Sequence, residues 1–150
     1  MRHRSFLGSL LCAAAVLVSG CDEKLSDLTG PTPDLTPNFA SVQSQVFNAT
    51  DLAGRQACIT CHSDQGRNPS AGLNLREGVS FANIVGIGSR AKAGAILVVP
   101  GDPDSSYIVQ KLEGAPGIVG ERMPRTGGPY LTSGQMLVLR TWIQRGARND

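Results

Sequence analysis

The C-terminal end of the chain carries the most regular pattern of apolar and polar positions. Its apolar side chains recur at helical spacing, at Met136, Leu139, Trp142 and Ile143. A stripe with intervals of three and four residues predicts an amphipathic helix that buries one face. Thr132, with Gln135 three residues later, has the spacing of an N-terminal capping box, and Gly146 is a typical helix stop.

A second stripe, over residues 40–48, predicts another amphipathic helix. Its apolar positions are Phe39, Val42, Val46 and Phe47. Each of the two helices has an apolar face that must be covered by another element of the domain. We therefore expect the first and last helices to pack together, with Phe39 or Phe47 at the contact.

Shorter elements are predicted between these two helices. Residues 79–85 favour a short helix. The sequence Asp-Pro-Asp at 102–104 predicts the start of another helix, with Asp102 or Asp104 as its N-cap. One face of that helix carries Tyr107, Ile108, Lys111 and Leu112. The apolar run 96–99 predicts either a strand or an extended wall of a pocket.

The N-terminal segment is basic, then apolar, then rich in small residues. Arg2 and Arg4 precede an apolar stretch over 6–18, and small residues then lead to Cys21. This order predicts a secretory signal peptide over residues 1–20. The segment resembles a bacterial lipoprotein signal, which implies that Cys21 is lipidated and becomes the mature N-terminus. The alternative is an ordinary signal cleaved near Gly20, which leaves Cys21 as a free thiol.

Residues 21–38 are polar, contain prolines and lack sustained apolar periodicity. Such a segment buries too little apolar surface to offset the entropy of ordering it. We expect a flexible tether between the lipid and a single domain at 39–150. Removal of residues 1–20 leaves 12 of the 14 basic residues against 12 acidic ones. This balance argues against nucleic-acid binding, which requires a clustered basic excess.

The sequence Cys58-Ile59-Thr60-Cys61-His62 is the strongest chemical signal in the chain. C-x-x-C-H is the attachment sequence of c-type haem. At this spacing each thiol can form a thioether to one haem vinyl group, and His62 becomes the proximal axial ligand of the iron. Haem c is attached after export, so the signal peptide supports this interpretation.

A C-x-x-C pair has three other common uses. A thioredoxin-like pair requires a βαβ frame, which the pattern does not predict. A zinc site requires about four ligands, and beyond the pentapeptide the exported chain has only Cys21 and no histidine. A disulfide between Cys58 and Cys61 leaves His62 without a role.

The second axial ligand cannot be another histidine of the exported chain, because His3 lies in the signal peptide. The candidates are Met123, Met136, an amine or water. Met136 lies on the apolar face of the last predicted helix, where core packing is its expected role. Met123 precedes Pro124 in a loop rich in turn residues, and we favour it as the ligand.

The motifs together resemble a bacterial monohaem c-type cytochrome. Those that carry the resemblance are the pentapeptide, Val-Pro-Gly-Asp-Pro at 99–103, Ser-Tyr at 106–107, Gly-x-Arg-Met-Pro at 120–124, Leu-Thr at 131–132 and Trp-Ile at 142–143. The resemblance implies an all-α, small cytochrome c fold, with short helices and long loops wrapped round one covalent haem. It implies His62 and Met123 as the iron ligands. Buried propionates need hydrogen-bond donors, and the candidates are Arg122, Arg125, Tyr107 and Trp142. The alternative for each is a surface or packing role.

These inferences predict an electron carrier rather than an enzyme. Ligation by His and Met fills both axial sites of the iron and favours electron transfer. The expected partners are redox proteins of a respiratory or periplasmic chain, and the expected location is the periplasmic or external face of a membrane. Asp22, after Cys21, resembles a signal for inner-membrane retention. Alternatives are a peroxidase-like enzyme with an open distal site, a haem-based sensor, or a haem subunit of a larger oxidoreductase.

Overall fold

The computed structural model describes residues 36–50 and 54–150. The predicted signal peptide, Cys21 and the tether as far as residue 35 lie outside the described residues. Four α-helices are described, namely α1 (Phe39–Val42), α2 (Ser80–Ile84), α3 (Tyr107–Glu113) and α4 (Ser133–Gln144). No helix among the described residues is long and apolar enough to cross a membrane.

Asn38 begins the first helix, because its side-chain oxygen accepts a hydrogen bond from the Ser41 amide at 2.8 Å. Helix α1 continues without a break into a π-helical turn, Gln43–Phe47. The predicted helix over 40–48 is therefore confirmed, although its second half is wider than an α-helix. Its buried side chains include Phe39, Val42, Val46 and Phe47.

Helix α4 begins at the predicted capping box. The Thr132 hydroxyl accepts from the Gln135 amide at 3.2 Å, and the Gln135 side chain accepts from the Thr132 amide at 3.0 Å. As expected, α1 and α4 pack together, and the rings of Phe39 and Trp142 lie 5.3 Å apart. The Phe39 amide also donates to the Asp150 carboxylate at 2.9 Å. The two ends of the described domain are thus held against each other.

The predicted caps of α3 were wrong. This helix begins at Tyr107, and its N-cap residue, Ser106, makes no side-chain cap. Its first two amides, of Tyr107 and Ile108, donate to the carbonyls of Ile96 and Leu97 at 2.9 and 3.0 Å. Because an extended neighbour already satisfies these donors, no carboxylate is needed there. Asp102 instead accepts from the Ser105 amide at 3.0 Å.

The apolar run 96–99 is extended but belongs to no named strand among the described residues. Isolated bridges join Val85 to Val98 and Gly88 to Ile96. They place the run beside the end of α2, with Val98 fully buried. Of the two alternatives, a strand or an extended wall, the described residues contain the wall.

A buried polar cluster links the first helix to the middle of the chain. The Gln43 side-chain amide donates to the Leu75 carbonyl at 3.0 Å and to Asn48 Oδ1 at 2.7 Å. Its oxygen accepts from the hydroxyl of Ser80, which is fully buried. The amide of Leu75 in turn donates to the His62 carbonyl at 2.7 Å. The cluster therefore ties α1 and α2 to the segment that follows the pentapeptide.

Candidate functional site

A cavity of about 500 Å³ lies beside the pentapeptide. Apolar side chains form most of its wall, and they include Val46, Phe47, Leu73, Leu75, Ile87, Leu97, Ile108, Leu112 and Val119. Cavities of ~300–1,000 Å³ with mainly apolar walls are typical of ligand and cofactor sites. Its lining residues lie between Val46 and Arg125 in the chain.

Three of the four predicted haem residues line this cavity, namely Cys58, His62 and Met123. Cys61 is exposed and is not among the lining residues. The pentapeptide forms one tight helical turn, Cys58–Thr60, in which the His62 amide donates to the Cys58 carbonyl at 2.9 Å. Residues four apart on a helical turn lie on one side of it, so Cys58 and His62 face the same cavity.

The His62 ring is oriented by a backbone contact. Its Nδ1 lies 3.0 Å from the Ser70 carbonyl oxygen. A carbonyl only accepts, so Nδ1 carries the proton in this contact and the neutral ring has its lone pair at Nε2. Burial lowers the pKa of His62 from its ordinary value, against the opposing effect of the Ser70 contact. Burial therefore favours the neutral imidazole, and the Ser70 contact fixes its tautomer. A neutral ring with a fixed tautomer is the form that binds a metal.

The two pentapeptide thiols differ in environment. Burial raises the pKa of the Cys58 thiol, and the positive charge of Arg55 opposes that shift. The Cys58 sulfur lies 3.4 Å from the Val46 carbonyl oxygen, to which its S–H donates weakly. Cys61 is exposed, and both cysteines are free thiols rather than a disulfide. Among the described residues, no group of three or more His, Cys, Asp and Glu side chains could hold a metal ion.

Met123 reaches the cavity from the loop that follows α3. The Met123 amide donates to the Lys111 carbonyl at 2.9 Å, which ties the loop to that helix. Helix α3 ends at Gly114, whose φ of +74° is left-handed. A Cβ at Gly114 would lie 2.9 Å from Cδ of Arg122, so glycine permits this close approach of the loop. Met136 packs against the core and is not among the cavity-lining residues, in agreement with its predicted packing role.

The candidate propionate contacts separate into two groups. Tyr107 and Arg125 line the cavity, whereas Arg122 and Trp142 are not among the lining residues. The Trp142 indole N–H donates to the Arg148 carbonyl at 2.7 Å, and this contact already uses the donor of that side chain. Arg122 donates to the Leu112 carbonyl at 2.7 Å, and its guanidinium lies 3.7 Å from the centroid of the Tyr130 ring. These two contacts give Arg122 a role in packing the loop against the end of α3 and against Tyr130.

Two basic residues at the cavity, Arg90 and Lys111, were missed as site residues. Arg90 lies in a glycine-rich stretch, and its side chain packs over Gly72, where a Cβ would lie 2.6 Å from the Arg90 Cδ. Lys111 was assigned only to a helix face. No local signal marks either residue, because their position at the cavity depends on how distant loops fold over α3.

A scan against protein-family models and searches of curated proteins and of solved structures found no match to this chain.

Proposed function

We propose that this protein is a membrane-anchored electron carrier with one covalent haem c. Cys58 and Cys61 would hold the group through thioethers, and His62 and Met123 would be its axial ligands. The observation that carries the proposal is the cavity lined by Cys58, His62 and Met123 together. Met123 is distant from the pentapeptide in the chain, so its place at the same cavity is independent of the C-x-x-C-H spacing.

The chemistry of the cavity fits such a group. It combines a thiol, an imidazole with its lone pair at Nε2, a thioether and a mainly apolar wall. When bound, haem c supplies an iron centre that takes up or releases one electron, at a potential that His and Met ligation raises. Arg90 and Arg125 are basic groups at the same cavity, suited to carboxylates such as propionates. The Lys111 ammonium already donates to the carbonyls of Val119 and Glu121.

The chain's own residues would support electron transfer in three ways. The Ser70 carbonyl fixes the ring of His62, which keeps one nitrogen directed at a metal. The apolar side chains of the wall would shield a bound redox group from water, which favours its less charged state. Met123, bound as the second ligand, would leave no open site for oxygen chemistry.

The location follows from the N-terminal sequence. Lipidation of Cys21 would anchor the protein at the periplasmic or external face of a membrane, with the tether giving the domain reach toward redox partners. An electron carrier uses such reach to contact a donor and an acceptor in turn.

A matched pair of methionine variants tests this function. The full-length protein is produced in a bacterium that attaches haem c, and its absorption spectra are recorded oxidised and reduced. We expect low-spin haem with a weak methionine-to-iron charge-transfer band near the red edge. Met123→Leu, which conserves volume, should lose the band and keep the covalent haem, whereas Met136→Leu should retain both.

Two results would contradict the proposal. One is a wild-type spectrum that is high-spin, with rapid CO binding, which would favour an open-site enzyme. The other is a band that survives in Met123→Leu, which would assign the ligand elsewhere.

A further inference from the structure

The loop that carries Met123 is held by hydrogen bonds from side chains outside it. Three residues make them, namely Lys92, Tyr107 and Lys111. All their partners are backbone groups of segment 117–121, directly before the methionine. We call these three side chains the loop clasp. The loop itself has no regular secondary structure, so its own backbone hydrogen bonds hold it weakly.

Tyr107 forms the buried part of the loop clasp. The residue is only 2 % exposed, and its ring lines the cavity. Its phenolic oxygen accepts a hydrogen bond from the Val119 amide at 3.0 Å. Because the oxygen lies at the end of a rigid ring on α3, this contact fixes the height of the loop above the helix.

The two lysines form the charged part of the loop clasp. The Lys111 ammonium donates to the Val119 carbonyl at 2.9 Å and also to the Glu121 carbonyl. The Lys92 ammonium donates to the Gly117 carbonyl at 3.0 Å and lies 5.5 Å from the centroid of the Tyr107 ring. Hydrogen bonds from charged donors are stronger than neutral ones. Both backbone groups of Val119 are therefore bound by the loop clasp: its amide donates to Tyr107, and its carbonyl accepts from Lys111.

We propose that Lys92, Tyr107 and Lys111 are positioning residues that hold the loop in place and so keep the Met123 sulfur at the iron. The inference rests on the proposed function. The loop must move for the Met123 sulfur to leave the iron, and contacts of the loop clasp must then break, so they raise the barrier to its departure. Loss of a clasp contact should therefore speed the departure of Met123 without changing what holds the haem.

The dissociation rate of Met123 measures this role directly. Imidazole is added in excess to the oxidised holoprotein, and the absorption change is followed by stopped flow. At saturating imidazole the observed rate equals the rate at which Met123 leaves the iron. Imidazole is neutral, so a lost lysine charge does not alter its approach.

Four variants of the full-length protein separate positioning from general stability. Tyr107→Phe and Lys111→Leu each remove clasp contacts, and each should raise the limiting rate about two- to tenfold, the effect of an ordinary hydrogen bond. Lys111→Arg keeps the charge and the donors and should remain within twofold of the wild type. The control is Arg140→Met, since Arg140 pairs with Glu113 of α3 at 2.9 Å and has no described contact with segment 117–121.

Unchanged limiting rates in Tyr107→Phe and Lys111→Leu would overturn the inference while leaving the proposed function intact. So would an equal rise in Arg140→Met, because the effect would then follow the stability of α3. If Tyr107→Phe fails to incorporate haem, Lys92→Leu provides a second test at a less buried clasp residue. A wild-type protein without the methionine-to-iron band would instead refute the proposed function, and the loop clasp with it.

Discussion

The buried polar cluster around Gln43 offers the sharpest test of how the domain is held together. Gln43→Met keeps nearly the same shape and removes the amide, which makes three hydrogen bonds, with Asn48, the Leu75 carbonyl and Ser80. The variant leaves the Ser80 hydroxyl, fully buried, without this acceptor. It also removes the donor to the Leu75 carbonyl, which holds the segment after the pentapeptide.

The magnitude follows from the number of bonds lost. Each ordinary hydrogen bond contributes ~0.5–1.5 kcal/mol, and each buried polar group left unsatisfied costs ~1–3 kcal/mol. With about 1 kcal/mol for each of the three bonds and roughly 1 kcal/mol more for the unsatisfied Ser80 hydroxyl, the predicted loss in the free energy of unfolding is about 4 kcal/mol. In a domain of this size such a loss lowers Tm by roughly 10–20 °C.

Thermal and urea unfolding, followed by circular dichroism, measure this loss. Gln110→Met is the matched control, because Gln110 makes one exposed contact, with the Asp104 carbonyl at 2.8 Å, and should lose less than about 1 kcal/mol. Adding Ser80→Ala to Gln43→Met should recover roughly 1 kcal/mol, since the stranded hydroxyl is removed. Two results would contradict this prediction. One is a free energy of unfolding for Gln43→Met within about 0.5 kcal/mol of the wild-type value. The other is a double variant whose loss equals the sum of the losses of Gln43→Met and Ser80→Ala.

Two further predictions concern Trp142 and Asp102. Trp142→Phe should destabilise the domain by about 2 kcal/mol in urea unfolding, because it removes buried volume and the hydrogen bond to the Arg148 carbonyl. The haem spectrum should stay the same. A changed spectrum would contradict the position of Trp142 outside the cavity. Hydrogen bonds from Ser105, first from its side chain and then from its backbone, lower the pKa of Asp102 from 3.8. The carboxylate therefore stabilises the fold above that value, and the benefit disappears as pH falls through the lower folded-state pKa. The Tm difference between wild type and Asp102→Asn should narrow below pH 3.8, and a difference that widens there would reverse the sign of this linkage.

Local signals in the sequence were enough to locate the helices. They did not predict hydrogen bonds whose donor and acceptor lie in distant segments. The Thr132 and Gln135 spacing marked the start of α4, because both capping partners lie within one turn. The caps of α3 were predicted wrongly, because its first two amides donate to the carbonyls of Ile96 and Leu97, each eleven residues earlier in the chain. The contact of Gln43 with Ser80 has no signature in either segment alone.

The residues of the candidate site likewise fall into those that a local motif identifies and those that only tertiary packing brings to the site. Cys58 and His62 are predictable from one pentapeptide, whose turn geometry is local. Met123 was inferred from its loop context, and the cavity brings it to the same wall. The contacts of Tyr107, Lys92 and Lys111 with the Met123 loop depend on side chains that reach across loops. No spacing rule predicts such contacts, since loop conformations are set by tertiary packing.

The central claim is that Cys58 and Cys61 hold one haem covalently, and the mass of the intact, denatured protein tests it most directly. The full-length chain is expressed in a bacterium that attaches haem c, then denatured and weighed by mass spectrometry beside Cys58→Ala/Cys61→Ala. We expect the wild type to keep the added mass of one haem after denaturation and the double variant to carry none. A wild-type protein with the polypeptide mass alone, and both pentapeptide thiols free to react, would contradict it.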